Sequence, residues 1–133
     1  MGVILGIEST AHTFSFGAVS SDGKDVLASH SSLYRPEEGG IHPREAADHH
    51  VESSRTLLER AILDWNVVKS DIDAVAFSQG PGLGPCLRVG GSVARSISMA
   101  LNIPLIGVNH CVAHIEIGRR MTGCIDPVPV SYT

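Results

Sequence analysis

Apolar and polar positions change their period twice along this chain. Val3 to Ile7 is an apolar run closed by Glu8-Ser9-Thr10, which predicts a buried first strand. Phe14 to Val19 and Val26 to Leu33 flank Ser21-Asp22-Gly23, and an Asp-Gly pair between two strand-like runs predicts a hairpin. A loop rich in proline and glycine follows, from Arg35 to Pro43. From Arg44 to about Trp65 the period becomes helical. Ala47, Val51, Leu58, Ala61, Ile62 and Trp65 form the apolar stripe, and Glu52, Arg55, Glu59 and Asp64 fall outside it. Pro43 stands where a first-turn proline is tolerated. Ala74 to Phe77 reads as a short strand running into Ser78-Gln-Gly-Pro-Gly-Leu-Gly-Pro85. A second helix is predicted from Cys86 to about Leu101, with Val93, Ala94, Ile97 and Leu101 inward. Leu105 to Val108 makes a last strand, and a helix beginning at His110 follows it directly.

The predicted order is β-β-β-α-β-α-β-α. Three antiparallel strands followed by parallel β-α units give an α/β fold built on a mixed sheet. This arrangement resembles one RNase H-like lobe of the actin/sugar-kinase/Hsp70 superfamily, whose members carry two lobes with the ligand between them. With 133 residues and 43% apolar content, the chain supports one compact domain over 1–133, so the expectation is a single lobe with the second one missing.

Charge and cysteine content narrow the setting. A net charge of -4 argues against a generic nucleic-acid binder, but not against RNA delivered by a partner. Cys86, Cys111 and Cys124 form no CxxC and cannot all pair, which points to a reducing compartment. The N-terminus has no basic region ahead of its short apolar run, and no run is long enough to span a bilayer. The expected location is the cytoplasm, away from membranes.

Four segments carry candidate chemistry. In His110-Cys-Val-Ala-His114 the histidines are four residues apart, so on a helix both imidazoles reach one metal ion. Two ligands are too few for a closed structural zinc site and suit an open one. A zinc-protease reading fails, because the residue after the first histidine is Cys111 rather than a glutamate. Cys111 reads as a small buried residue between the ligands. Gly80 to Pro85 lies between a strand and a helix; it lacks a P-loop lysine, and a tight connection outweighs anion binding there. Glu8, Ser9 and Thr10 close the first strand, either facing a ligand cleft or simply forming a turn. His42, His49 and His50 are expected to be solvated or hydrogen-bonded, because adjacent helical residues diverge by about 100°.

Taken together, Leu5-Gly-Ile-Glu-Ser-Thr-Ala-His12, Gly39-Gly-Ile-His-Pro-Arg-Glu-Ala-Ala-Asp-His-His50, Phe77-Ser-Gln-Gly-Pro-Gly-Leu-Gly-Pro85 and Ile106-Gly-Val-Asn-His-Cys-Val-Ala-His-Ile-Glu-Ile-Gly118 resemble the tRNA threonylcarbamoyladenosine synthesis family, in an archaeal form. The four segments run in family order. The resemblance implies an acyltransferase that passes a threonylcarbamoyl group from threonylcarbamoyl-AMP to N6 of the adenosine beside the anticodon, with that acyl-adenylate or ATP as the bound nucleotide. It also implies iron or zinc on His110 and His114, and substrate contact near Ser131 and Tyr132. The implied partners are subunits of the KEOPS complex: a kinase subunit, and a small dimeric subunit docked on helices 44–65 and 86–101, with tRNA reached through the complex.

The C-terminal residues depart from the family pattern. Where the family continues into a Tyr-Val-Ser-Gly-Gly strand, this chain reads Pro129-Val-Ser-Tyr-Thr133. The expectation is therefore a truncated lobe without transfer activity and with weak metal binding at best. The alternative from another class is an interaction module that docks the small dimeric subunit. A generic sugar or acetate kinase lobe has no support in the sequence.

Overall fold

A computed structural model describes residues 2–64 and 69–123 of the chain. Five strands form one sheet in the order β3-β2-β1-β4-β5. They are β1 (Val3–Glu8), β2 (Thr13–Ser20), β3 (Val26–Leu33), β4 (Ile72–Gly80) and β5 (Leu105–Asn109). β1 pairs antiparallel with β2, and β2 antiparallel with β3. β1 also pairs parallel with β4, and β4 parallel with β5. The sheet is therefore mixed, with β1 as the strand where the two pairing modes meet.

The hairpin between β2 and β3 closes where the sequence predicts. Gly23 adopts a left-handed φ of 76°, which a glycine reaches without steric penalty. The Asp22 carboxylate accepts from Ser20 Oγ at 2.6 Å and from the Lys24 amide at 3.0 Å, and these bonds hold it below the usual carboxylate range.

Period-two alternation separates the sheet's faces. Val3, Leu5 and Ile7 of β1 and Phe14, Phe16 and Ala18 of β2 point to one face and are fully or almost fully buried. Two helices cover that face: α1 (Pro43–Asp64) and α2 (Gly84–Leu101). Leu57 from α1, Ala94 from α2 and Val75 from β4 complete the core. The third helix, α3 (His110–Thr122), meets β4 and β5 instead. Its far end reaches the β2–β3 turn, where the Arg120 guanidinium donates to the carbonyls of Gly23 and Lys24.

The inward face of α1 differs from the predicted stripe. Ala46, His50 and Leu57 face the core, whereas Val51 is 58% exposed. One residue step rotates a helical face by about 100°, so the apolar flank carrying Val51 and Leu58 turns toward α2. The reason is His50, a polar residue that becomes a core residue because a carbonyl satisfies its ring. Trp65 lies outside the described residues, as do the side chains of Ala61 and Ile62.

Candidate metal-binding histidines and their cleft

β5 delivers the chain directly into α3, and the junction is built by Asn109. Its side-chain oxygen accepts from the amides of Cys111 at 2.9 Å and Val112 at 3.1 Å, capping the helix. This fixes the first turn, and with it the directions of His110 and His114. Their rings stand 4.5 Å apart, centroid to centroid, and the two Nε2 atoms are 3.2 Å apart. With metal–nitrogen bonds of 2.0–2.1 Å, that separation subtends about 100° at a shared ion, between the octahedral and tetrahedral values. The pair therefore fits a metal as two neighbouring donors. Among the described residues, no group of three or more His, Cys, Asp or Glu side chains gathers around one point.

His110 borders a cleft of about 320 Å³ on the sheet face that α1 and α2 leave open. The floor is made of small residues in register: Gly6 lies opposite Gly17 and Ala76, and Gly17 lies opposite Ser29. One row nearer the carboxyl end of β1, Glu8 pairs with Ser15, whose hydroxyl lies 2.9 Å from Ser31 Oγ. Glu8 is held in place. Its Oε1 accepts from the Thr10 amide at 2.7 Å and also from the Thr10 hydroxyl.

The two hydroxyls at the end of β1 are committed to structure. Thr10 holds Glu8, while buried Ser9 donates from Oγ to the Cys86 carbonyl at 2.9 Å. Of this trio, only Glu8 lines the cleft. The glycine-rich loop is likewise a connection. The Leu83 amide donates to the Thr10 carbonyl at 2.7 Å, and a Cβ on Gly82 would stand 2.6 Å from that same oxygen. Pro85 in the first turn of α2 has no N–H, which removes one of the donors an anion would use there.

His42 is exposed, and His49 and His50 are hydrogen-bonded, with His50 fully buried. The two rings turn toward each other despite their divergence along the helix, with Nδ1 atoms 2.9 Å apart. Adjacent histidines above a serine-rich strand were the only sequence signal for this. Cys111 is half-buried rather than buried. Cys86 is buried and its thiol is pushed up by that burial, so it behaves as a packing residue. Ser131 and Tyr132 lie outside the described residues, as does Cys124. No described helix is long and apolar enough to cross a membrane.

Similarity to known proteins follows the same lines. The chain is 55% identical over 127 residues to a tRNA N6-adenosine threonylcarbamoyltransferase of Caldivirga maquilingensis, covering 95% of this chain and 38% of that protein. It is 50% identical over 126 residues to a probable bifunctional tRNA threonylcarbamoyladenosine biosynthesis protein of Thermoplasma volcanium, covering 95% of this chain and 24% of the relative. The chain thus spans well under half the length of these relatives. Among solved structures, YeaZ from Pseudomonas aeruginosa superposes with a TM-score of 0.65 at 24% identity, over 92% of this chain and 51% of that one. A T. thermophilus RuvC bound to a Holliday junction superposes with a TM-score of 0.58 at 12% identity, over 98% and 85%. These two likenesses show the fold alone, a mixed α/β sheet of RNase H-like type. A family model for tRNA N6-adenosine threonylcarbamoyltransferase matches residues 25–131, and the chain belongs to that family.

Proposed function

We propose that residues 1–133 form one actin-like lobe of a cytoplasmic tRNA threonylcarbamoyltransferase, a lobe that supplies two metal ligands and one wall of the cleft. The observation that carries this reading is the 3.2 Å separation of the His110 and His114 Nε2 atoms beside a cleft shared with Glu8. Imidazoles suit both iron and zinc, so either ion fits the donor set. When bound, the ion supplies Lewis acidity and a template for the acyl-adenylate threonylcarbamoyl-AMP. Asn109 sets the pitch of the first turn of α3, which keeps both imidazoles aimed at one point. Glu8, pinned by Thr10, keeps a carboxylate at a fixed place along the cleft. Ser131 and Tyr132 are proposed as substrate contacts from the family resemblance. Transfer to N6 of adenosine in tRNA needs further ligands and a second wall from the rest of the family's polypeptide.

Elemental analysis and metal titration of the purified chain, beside a His110→Ala/His114→Ala variant, test the assignment. The expected result is weak iron or zinc uptake that disappears in the double variant. Equal uptake by both proteins, or none by either, would sink it. Threonylcarbamoyl transfer by this chain alone would refute the one-lobe reading.

A second reading concerns partners and is favoured by a groove of about 460 Å³ between α1 and α2. Val51, Leu58, Val89, Val93 and Ile97 make it apolar, a suitable seat for a partner helix. We propose that it docks the small dimeric subunit of a KEOPS-type complex, which also brings the kinase subunit and tRNA. Val51 is exposed enough for Val51→Asp to spare the core, and this variant is expected to lose capture by that subunit in a pull-down. Undiminished capture would place the dock elsewhere.

A further inference from the structure

The turn between β1 and β2 is pinned through three successive carbonyls, each by a different part of the fold. Thr10 O accepts from the Leu83 amide at 2.7 Å, ahead of α2. His12 O accepts from the Tyr34 amide at 2.7 Å, beyond the end of β3. Between them, Ala11 O lies 2.7 Å from His50 Nε2 of α1. Of the three donors, only the imidazole titrates near neutral pH.

Geometry assigns both histidine tautomers. A carbonyl only accepts, so His50 carries its proton on Nε2 and leaves Nδ1 bare. That bare nitrogen lies 2.9 Å from His49 Nδ1, which must then carry the proton of its own ring. His49 Nε2 is left as an acceptor, 3.0 Å from Ser32 Oγ and 3.1 Å from Ser53 Oγ. The result is a directed chain from the hydroxyls over β3, through two neutral rings, to the turn that positions Glu8.

We propose that His49 and His50 form a proton-sensitive latch on the β1–β2 turn, with His50 the positioning residue for the Glu8 corner of the cleft. This deepens the reading of that cleft as the working site and rests on it. A proton on His49 is tolerable, because Ser32 and Ser53 can accept as readily as donate. A second proton, which makes both rings cationic, is not, since it sets two Nδ1–H donors against each other in a buried site. The groups around the pair are Glu8 of β1, His12 in the turn, Tyr34 bonded to Glu45, and Glu52 of α1. Burial lowers both imidazoles below the ordinary histidine value. Their mutual repulsion adds to this at His49 against Glu52, while at His50 the Ala11 bond and Glu8 oppose burial and His12 assists it. Below about pH 6.5 the unfolded chain therefore binds more protons than the folded one, so the latch is shut near neutrality and weakens as pH falls.

Nitrogen-15 NMR of the histidine rings tests the proposal in a His12→Gln background, which silences the exposed neighbour. The expected result near pH 7.5 is opposite tautomers on adjacent residues: Nδ1–H on His49 and Nε2–H on His50. On titration to about pH 5.5, the Ala11 and Thr13 amide signals should follow protonation of His50. His50→Gln presents an amide N–H to Ala11 and an amide oxygen to His49, so those signals should keep their neutral positions and lose their pH dependence. An Nε2–H tautomer on His49, turn amides indifferent to His50, or unchanged pH dependence in His50→Gln would each overturn the latch. If His50→Gln fails to fold, the tautomers and the amide titration of the parent decide the matter. None of these signals depends on metal or transfer, so failure of the latch is distinguishable from failure of the metal assignment.

Discussion

Phe14→Ala is expected to lower the unfolding free energy by about 3–5 kcal/mol, read as a fall in the urea midpoint at unchanged slope. The ring is fully buried at the centre of the core. It meets Phe16 edge-on at 5.3 Å between centroids, an arrangement worth about 0.5–1.5 kcal/mol beyond the area it covers. It also lies 5.7 Å from the His50 ring, so its loss leaves a cavity beside a buried polar group. A domain of this size holds about 5–15 kcal/mol in total, and the variant therefore approaches the edge of folding. Phe14→Leu, which keeps most of the volume, should lose less than half as much. A loss below about 1.5 kcal/mol for alanine would mean that α1 and the sheet collapse onto the vacancy.

The second large effect separates two adjacent glycines of α2. Alanine is the better helix former by about 1 kcal/mol, so either substitution gains that much before packing is considered. At Gly91 the new Cβ would stand 3.6 Å from the Phe77 ring, an ordinary contact, and Gly91→Ala should be neutral or stabilising. At Gly90 it would overlap Ser9 Oγ and stand 3.1 Å from Ser9 Cβ. The hydroxyl must then abandon the Cys86 carbonyl inside a buried site, at about 1–3 kcal/mol, or α2 must lift from β1 at a similar cost. The expected outcome for Gly90→Ala is a net loss of up to about 2 kcal/mol by chemical denaturation, the packing cost less the helix-propensity gain. Ser9→Ala/Gly90→Ala removes the overlapping oxygen and should recover part of it, a coupling of about 1 kcal/mol. Additive losses would show that the helix and strand do not meet as described.

Gly90 also illustrates what a sequence conceals. The strand-forming runs of β1 and β2, the Asp-Gly turn and the succession of α2, β5 and α3 were legible because each is written in neighbouring residues. The inward face of α1 was not. His50 reads as polar in any periodic pattern, and only the Ala11 carbonyl, 39 positions away, makes it a core residue. The same limit applies at the site. His110 and His114 were legible because one helical turn relates them, and Asn109 before them is a recognisable cap. Ser9 and Thr10 could be read either as cleft groups or as a turn, because nothing local reveals that Cys86 and Glu8 already engage their hydroxyls. Adjacent histidines looked divergent because side-chain rotation, invisible in a helical period, brings their rings together.

The double role of β1 has a consequence for how the chain comes into being. β1 leaves the ribosome well ahead of its parallel neighbour, which begins pairing at Ile72. At roughly 5–20 residues per second, one side of the strand waits several seconds for its hydrogen-bonding partner. For the first part of that interval the β1–β2–β3 meander exists alone, and the face carrying Leu5, Phe14 and Phe16 is covered only in part by α1 until α2 follows. Nascent chains of this protein are therefore most sticky in midsynthesis, and slowing translation between β3 and β4 should raise their demand for chaperones.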